Sequence, residues 1–196
     1  MEKQSGIVLK SYLPEKSKIV LLDQNGSKYH YVPMIRDLCA GTLIQYHVTK
    51  NQPLAFIHGI EKIALPLALA RTDLVFFHHV LELCYYFVPM ESHMPEVYIL
   101  LTYLYQPAAV TMPTRAKKLL LVKLFIILGA IPEEPAIMKP SALAALGAQP
   151  FDRVAPELLE LEEARLDAWL RICTAMHPYS QYFKTTAFLD LIGIAP

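Results

Sequence analysis

The chain has 196 residues, of which 54% are hydrophobic, so it can bury a substantial core without disulfides or metal. Its three cysteines form no C-x-x-C pair, which offers neither a disulfide framework nor a zinc knuckle and fits a reducing, cytoplasmic setting. No uninterrupted apolar run reaches the length of about 18 residues that a membrane span needs, and the first ten residues lack the pattern of a secretory signal. We therefore expect no membrane partner.

Charge is unevenly distributed, although the formal net charge is zero. Up to residue 65 there are eight basic and five acidic residues, which gives +3, and the remainder has ten basic and thirteen acidic residues, which gives −3. Proteins that bind nucleic acid through its phosphates need local positive charge. The front third is therefore the better candidate for contact with phosphate.

The front third also predicts a small β-domain. Asn25-Gly26 is typical of a tight hairpin turn, Pro14 and Pro33 interrupt strands, and Gly59 suggests a bulge or bend. Five short strands leave few exposed edges if they close into a barrel, and the five-stranded oligonucleotide/oligosaccharide-binding (OB) barrel is the simplest solution. The predicted strands are residues 6–12, 17–23, 28–32, 42–49 and 54–63.

Beyond residue 65 the hydrophobic pattern becomes helical. Helices are predicted for residues 73–88, 95–106, 114–128, 156–177 and 185–191, with Asp73 and Pro95 as starts and Gly129 as a stop. The proline-rich stretch 130–156 is predicted to be a connector with one short helical turn at 141–146. The fold class is thus α+β, with an OB-fold domain at 1–65 and an all-helical domain at 66–196.

An OB barrel binds oligonucleotides across its second and third strands and through the loops after its first and fourth strands. Basic residues in these places are candidates for phosphate contact, and exposed aromatic rings can stack on bases. One face of the third strand must fill the core, either Tyr29 and Tyr31 or His30 and Val32, and we expect the tyrosines inside. The candidate DNA-binding residues are Lys10, Tyr12, Lys16, Lys18, Lys28, His30, Arg36 and Lys50.

Catalytic motifs for nucleotides, cofactors and hydrolysis are absent from the sequence. His78, His79 and Cys84 lack the spacing of metal ligands on one helix face. The acidic run at residues 160–163 is expected to be a solvated helix face. We therefore predict no enzyme, no cofactor and no metal.

Three segments resemble, in the same order, those of the bacterial recombination mediator protein RecO family. They are GIVLKSYLPEKSKIVLLDQNGSKYHYV at 6–32, KKLLLVKLFIILGAIPE at 117–133 and FKTTAFLDL at 183–191. The resemblance implies an OB barrel before a helical body, binding of single- and double-stranded DNA, strand annealing and recombinase loading. It also implies two protein partners, a RecR-like protein and the C-terminal tail of single-stranded-DNA-binding protein.

The same resemblance places the acidic tail of that partner against basic residues at the start of the leucine-rich helix. The matching positions here are Arg115, Lys117 and Lys118. A lysine can serve there as a point charge for the terminal carboxylate of the tail.

The chain departs from the family pattern in three places. The cysteine-free stretch 133–153 replaces a zinc-binding insertion, Arg36 stands alone where members carry a basic run, and Thr186 replaces an arginine. The leading interpretation is a reduced RecO-like DNA-repair mediator. The alternative is a protein-interaction scaffold of the same fold that has lost most contact with DNA.

Overall fold

The computed structural model describes residues 3–35, 37–51, 54–132 and 163–184. The chain divides into two compact units, Met1–Val110 and Thr111–Pro196. The predicted boundary after residue 65 coincides with the change from strands to helices. The helices between that point and Val110, however, belong to the same compact unit as the strands.

The first unit begins with a closed five-stranded barrel, which confirms the expectation of a small β-barrel followed by helices. Around the barrel the strands are ordered β1-β2-β3-β5-β4. All neighbouring pairs are antiparallel except β3 and β5, which are parallel. The strands are β1 (Gln4–Ser11), β2 (Ile19–Asp23), β3 (Lys28–Pro33), β4 (Leu43–Asn51) and β5 (Leu54–Ala64).

The barrel interior is filled by aliphatic side chains and two tyrosines. The rings of Tyr31 and Tyr46 are buried with their centroids 5.9 Å apart, and the half-buried Tyr29 packs against this core. His30, on the opposite face of β3, is exposed. The expectation that the tyrosines point inward is therefore confirmed. The buried core residues are Val8, Ile19, Leu21, Tyr31, Leu38, Ile44, Tyr46 and Ile57.

Two glycines have the roles that the sequence predicts. In the β2–β3 turn, Asp23 Oδ1 accepts hydrogen bonds from the backbone N–H groups of Asn25 and Ser27. Gly26 has φ +72°, and a Cβ atom there would lie 1.9 Å from the carbonyl oxygen of Met94, so only glycine fits. Gly59 has φ +58° and lies where the β4–β5 register shifts, which confirms the predicted bulge.

Four short or medium helices complete the first unit. Asp73 caps the second of them, accepting a hydrogen bond from the backbone N–H of Phe76 as the sequence predicts. The first and fourth were not predicted, since they are too short to show a helical period. The helices are α1 (Leu67–Thr72), α2 (Leu74–Phe87), α3 (Pro95–Thr102), which continues into a 3₁₀ turn at Tyr103–Tyr105, and α4 (Pro107–Val110).

The second unit is helical within the described residues. It contains α5 (Thr114–Ile127), α6 (Glu163–Ala175) and a 3₁₀ turn at Ser180–Tyr182. Trp169 of α6 is fully buried and packs edge-to-face on Phe125 of α5, with ring centroids 6.3 Å apart. The predicted helical turn at 141–146, the first part of the predicted helix 156–177 and the closing helix at 185–191 lie outside the described residues.

No helix of the described segments combines the length and the apolar character that crossing a membrane requires.

Candidate nucleic-acid interface

Lysines and tyrosines meet at one end of the barrel, where β1 leads into β2. The ammonium of Lys10 lies 5.2 Å from the ring centre of Tyr12 and 4.4 Å from that of Tyr85. The ammonium of Lys18 lies 5.8 Å from the Tyr12 ring. Such distances are those of cation–π contacts. We call the group Lys10, Tyr12, Lys18, Lys28 and Tyr85 the lysine–tyrosine cluster.

Tyr85 is the member that the sequence did not reveal. It lies near the end of α2. Its hydroxyl is 2.9 Å from the hydroxyl of Tyr12, the residue that follows β1. The sequence predicts a helix over 73–88, but no local pattern pairs a residue there with one 73 positions earlier. Tyr85 therefore ties the β1–β2 end of the barrel to a helix of the same unit.

The loop between β1 and β2 is held closed by its own backbone. Tyr12 and Lys18 are linked by a hydrogen bond from the Tyr12 N–H to the Lys18 carbonyl (3.1 Å), and the Lys16 N–H donates to the Tyr12 carbonyl (2.9 Å). Lys16 is exposed, whereas Lys10, Tyr12 and Lys18 are half-buried. The loop thus holds Lys10 and Lys18 beside the ring of Tyr12, with Lys16 exposed in the same loop.

Lys28 is placed differently from the expectation that it contacts phosphate. Its side chain is only 6% exposed, and its ammonium donates a hydrogen bond of 2.7 Å to the carbonyl of Tyr85. Burial lowers the pKa of Lys28. The residues that follow α2 cover the strand here, since the Glu91 N–H donates to the Lys28 carbonyl. Lys28 thus fastens β3 to α2 and is not a surface cation.

His30 remains on the surface next to this cluster. It is exposed, and its pKa is lowered by burial and then by the nearby charges of Lys18 and Lys28. A histidine whose pKa lies below its usual value is mostly neutral at pH 7. A neutral ring can stack on a base or share a hydrogen bond, but it adds little charge.

For two further candidate DNA-binding residues, Lys50 and Arg36, the structure does not describe the side chain. Lys50 is paired with Ala55 in the β4–β5 ladder, and the structure describes its backbone alone. Arg36 lies outside the described residues. The structure thus brings Lys10, Tyr12, Lys16 and Lys18 together in one place, with His30 on the neighbouring strand β3.

The second predicted cluster, on α5, is also rearranged. Lys118 is fully buried, and its ammonium lies 2.6 Å from Glu163 Oε1 and 2.8 Å from Asp167 Oδ1 of α6. The contact with Asp167 is an ion pair without the geometry of a hydrogen bond. The family resemblance predicts that a partner's carboxylate reaches Lys118, whereas the structure surrounds this lysine with the chain's own carboxylates. Arg115 and Lys117 are half-buried.

Glu163 is the exposed half of this ion pair. It is 56% exposed, so the interpretation of the acidic run as a solvated face fits its position, while residues 160 and 162 lie outside the described segments. The hydrogen bond and charge of Lys118 lower the pKa of the Glu163 carboxyl. Asp167, by contrast, is 12% exposed. One buried ammonium therefore joins α5 to α6 through one exposed and one buried carboxylate.

The histidines and cysteine on α2 have the environment of core residues. His79 and Cys84 are both fully buried, and His78 is exposed. Burial lowers the pKa of His79 to about 4 and raises that of the Cys84 thiol to about 12. Across the described segments, no three or more histidine, cysteine, aspartate or glutamate side chains are grouped to hold a metal ion.

The chain matches no model of a known protein family, and no curated protein matches it. The chemistry of the site must therefore be inferred from its own side chains. Ammonium groups beside aromatic ring faces suit a ligand that carries both phosphates and planar bases.

Proposed function

We propose that the chain is a RecO-like DNA repair and recombination mediator whose barrel binds single-stranded DNA. The observation that carries the proposal is the grouping of Lys10, Tyr12 and Lys18 around the β1–β2 loop of a closed five-stranded barrel. Lys16 and His30 complete the proposed contact surface. A cytoplasmic location and a non-enzymatic role belong to the same proposal.

We further propose that the barrel is of the OB type. Five strands close with β1 between β2 and β4, and β3 lies parallel to β5, an arrangement that fits the five-stranded Greek-key barrel of that fold. In OB folds the loop after the first strand takes part in binding oligonucleotides. The lysines and Tyr12 occupy the corresponding loop here.

The proposed path of the DNA follows from which side chains are accessible. Lys28 and the outward-facing Val20 and Leu22 of β2 are buried, so these parts of the β2–β3 face are closed to a ligand, whereas His30 of β3 is exposed. We therefore place the single-stranded DNA along the β1–β2 loop, with its phosphates near Lys10, Lys16 and Lys18. Stacking of one base on an aromatic ring is worth about 1–3 kcal/mol and needs no particular sequence.

The proposed protein partners are a RecR-like protein and the acidic tail of a single-stranded-DNA-binding protein, whose capture would support strand annealing and recombinase loading. On α5, Arg115 and Lys117 are the cations that we assign to the tail. Lys118 is left out of that contact, because it is buried against Glu163 and Asp167.

One observation favours the alternative of a protein-interaction scaffold with the same fold. Two of the predicted cationic contacts, Lys28 and Lys118, are buried in the protein's own structure. The burial of each lysine removes a possible ionic contact with DNA or with a protein partner. A scaffold would retain the barrel and the helices while binding DNA weakly or not at all.

Binding of a fluorescent single-stranded oligonucleotide, measured by anisotropy over a series of salt concentrations, separates the two functions. For single strands, each phosphate contact adds about 0.7 to the slope of log K against log salt. Lys18→Gln should therefore flatten the slope by about 0.7. Lys62→Gln is the matched control, since Lys62 lies on the barrel but pairs with Asp37.

A mediator predicts binding that weakens steeply with salt, and the same slope for the control variant as for the parent chain. Absence of binding at low salt would replace the mediator with the scaffold. Equal slopes for the parent chain and Lys18→Gln would show that DNA binds elsewhere.

A further inference from the structure

Two histidines face each other on the outer wall of the β4–β5 hairpin, outside the lysine–tyrosine cluster. His47 of β4 is directly opposite His58 of β5. Their neighbours Tyr46 and Ile57 belong to the barrel core, and successive side chains of a strand point to opposite faces. Both imidazoles therefore point outward, and both are half-buried.

The distance between the rings fits a shared metal ion. The ring centroids are 5.7 Å apart, and the planes differ by 28°. With zinc–nitrogen bonds of about 2.0–2.1 Å along each ring axis, a tetrahedral chelate places the centroids about 5.2 Å apart, and a right-angled chelate places them about 4.5 Å apart. The hairpin is therefore nearer to the tetrahedral arrangement, which zinc prefers.

Each ring can offer one nitrogen without losing a hydrogen bond. His58 Nε2 lies 3.0 Å from Thr49 Oγ1. When Nε2 carries the proton and donates to Thr49, the lone pair remains on Nδ1, and the ring orientation is fixed. His47 Nδ1 is enclosed and has no hydrogen-bond partner in the described part of the chain, so Nε2 is the nitrogen of His47 that we assign to the metal. Thr49 would thus act on the metal through His58.

The bulge at Gly59 leaves room beside His47. Gly59 adopts φ +58°, and a Cβ atom there would lie 3.0 Å from His47 Cδ2. A side chain at this position would therefore press on the ring. The glycine allows the imidazole to lie over the backbone of β5 and next to its partner.

We propose that His47 and His58 form a two-histidine site for a divalent transition-metal ion that prefers tetrahedral coordination, and that this ion is Zn²⁺. Because no third histidine, cysteine or carboxylate joins the pair among the residues that the structure describes, two coordination positions are left to water or to an added ligand. An open site of this kind exchanges its metal, unlike a closed structural zinc site. The site does not depend on the proposed DNA binding.

Titration of the full chain with Zn²⁺ in a calorimeter at pH 7.5 tests the site. We expect saturable binding of one ion with a Kd below about 1 mM. His47→Gln and His58→Gln should each weaken it at least about ten-fold, which corresponds to about 1.4 kcal/mol. His93→Gln is the matched control, because His93 is exposed in the segment between α2 and α3, and it should bind like the parent chain.

Nuclear magnetic resonance of the histidine rings in the unsubstituted chain gives a reading that does not depend on a variant's folding. Zn²⁺ should shift the signals of His47 and His58 and leave that of His93 in place. No saturable binding, or binding that survives both glutamine substitutions, would overturn the proposal.

Discussion

Replacing Lys118 with methionine should destabilise the second compact unit by about 3–5 kcal/mol. Methionine fills nearly the same volume, so the cost arises from charge and not from a cavity. The substitution leaves Asp167, which is 12% exposed, as a buried carboxylate without its cation. Glu163 is 56% exposed and remains hydrated, so its loss of a partner adds less than about 1 kcal/mol.

Urea unfolding followed by tryptophan fluorescence measures this loss of stability in the unit that contains Lys118. The chain has one tryptophan, Trp169, which is buried against Phe125 between α5 and α6. Its emission therefore reports on the unit that contains Lys118. The free energy of unfolding of the parent chain and the variant can be compared at pH 7 with a common slope.

Two further variants make the test decisive. Lys118→Met combined with Asp167→Leu removes both buried charges, and it should recover most of the lost stability or exceed the parent chain. Glu163→Gln should cost less than about 1 kcal/mol. The reasoning fails if Lys118→Met alone costs less than about 1 kcal/mol, or if the double variant is as unstable as the single one.

Three other predictions concern the first unit. Gly26→Ala should cost at least about 2 kcal/mol, because it combines φ +72° with a backbone clash; urea unfolding followed by circular dichroism measures it. Burial lowers the pKa of His79 in the folded chain to about 4, below its usual 6.5. The neutral ring should therefore contribute about 3 kcal/mol to the free energy of unfolding above pH 6.5, and this contribution should be lost as the pH falls to 4. His79→Gln should remove this part of the pH dependence in the same assay. Tyr12→Ala should weaken oligonucleotide binding by about 1–3 kcal/mol in the anisotropy assay, whereas an unchanged affinity would exclude stacking on that ring.

Local signals predicted most of the elements. The turn at Asn25-Gly26, the cap at Asp73 and the bulge at Gly59 each depend on a residue whose preference acts over a few neighbours. Five strands followed by helices could therefore be predicted from the sequence. The helices α1 and α4, with six and four residues, are too short to show a hydrophobic period.

The surroundings of the charged residues could not be predicted in the same way. Lysine is almost never fully buried unless it has partners, and the partners here are distant in sequence. Lys28 bonds to the carbonyl of a residue 57 positions later, and Lys118 pairs with Glu163, 45 positions later. No local pattern carries such information, so the sequence alone predicts a surface position for both lysines.

Among the lysines of the first unit whose side chains the structure describes, burial and pairing leave the accessible positive charge of the barrel mainly at its β1–β2 end. Lys3 pairs with Glu61, Lys62 pairs with Asp37, and Lys28 is enclosed. The accessible lysines at the β1–β2 end are Lys10, Lys16 and Lys18.

Three phosphate contacts predict a slope of log K against log salt of about −2 for single-stranded DNA. A nucleic-acid binder with a formally neutral chain is therefore physically reasonable, provided that its affinity depends on this one end of the barrel. A measured slope that is much steeper would require cations beyond these three, and a slope near zero would leave the barrel without an ionic role in binding.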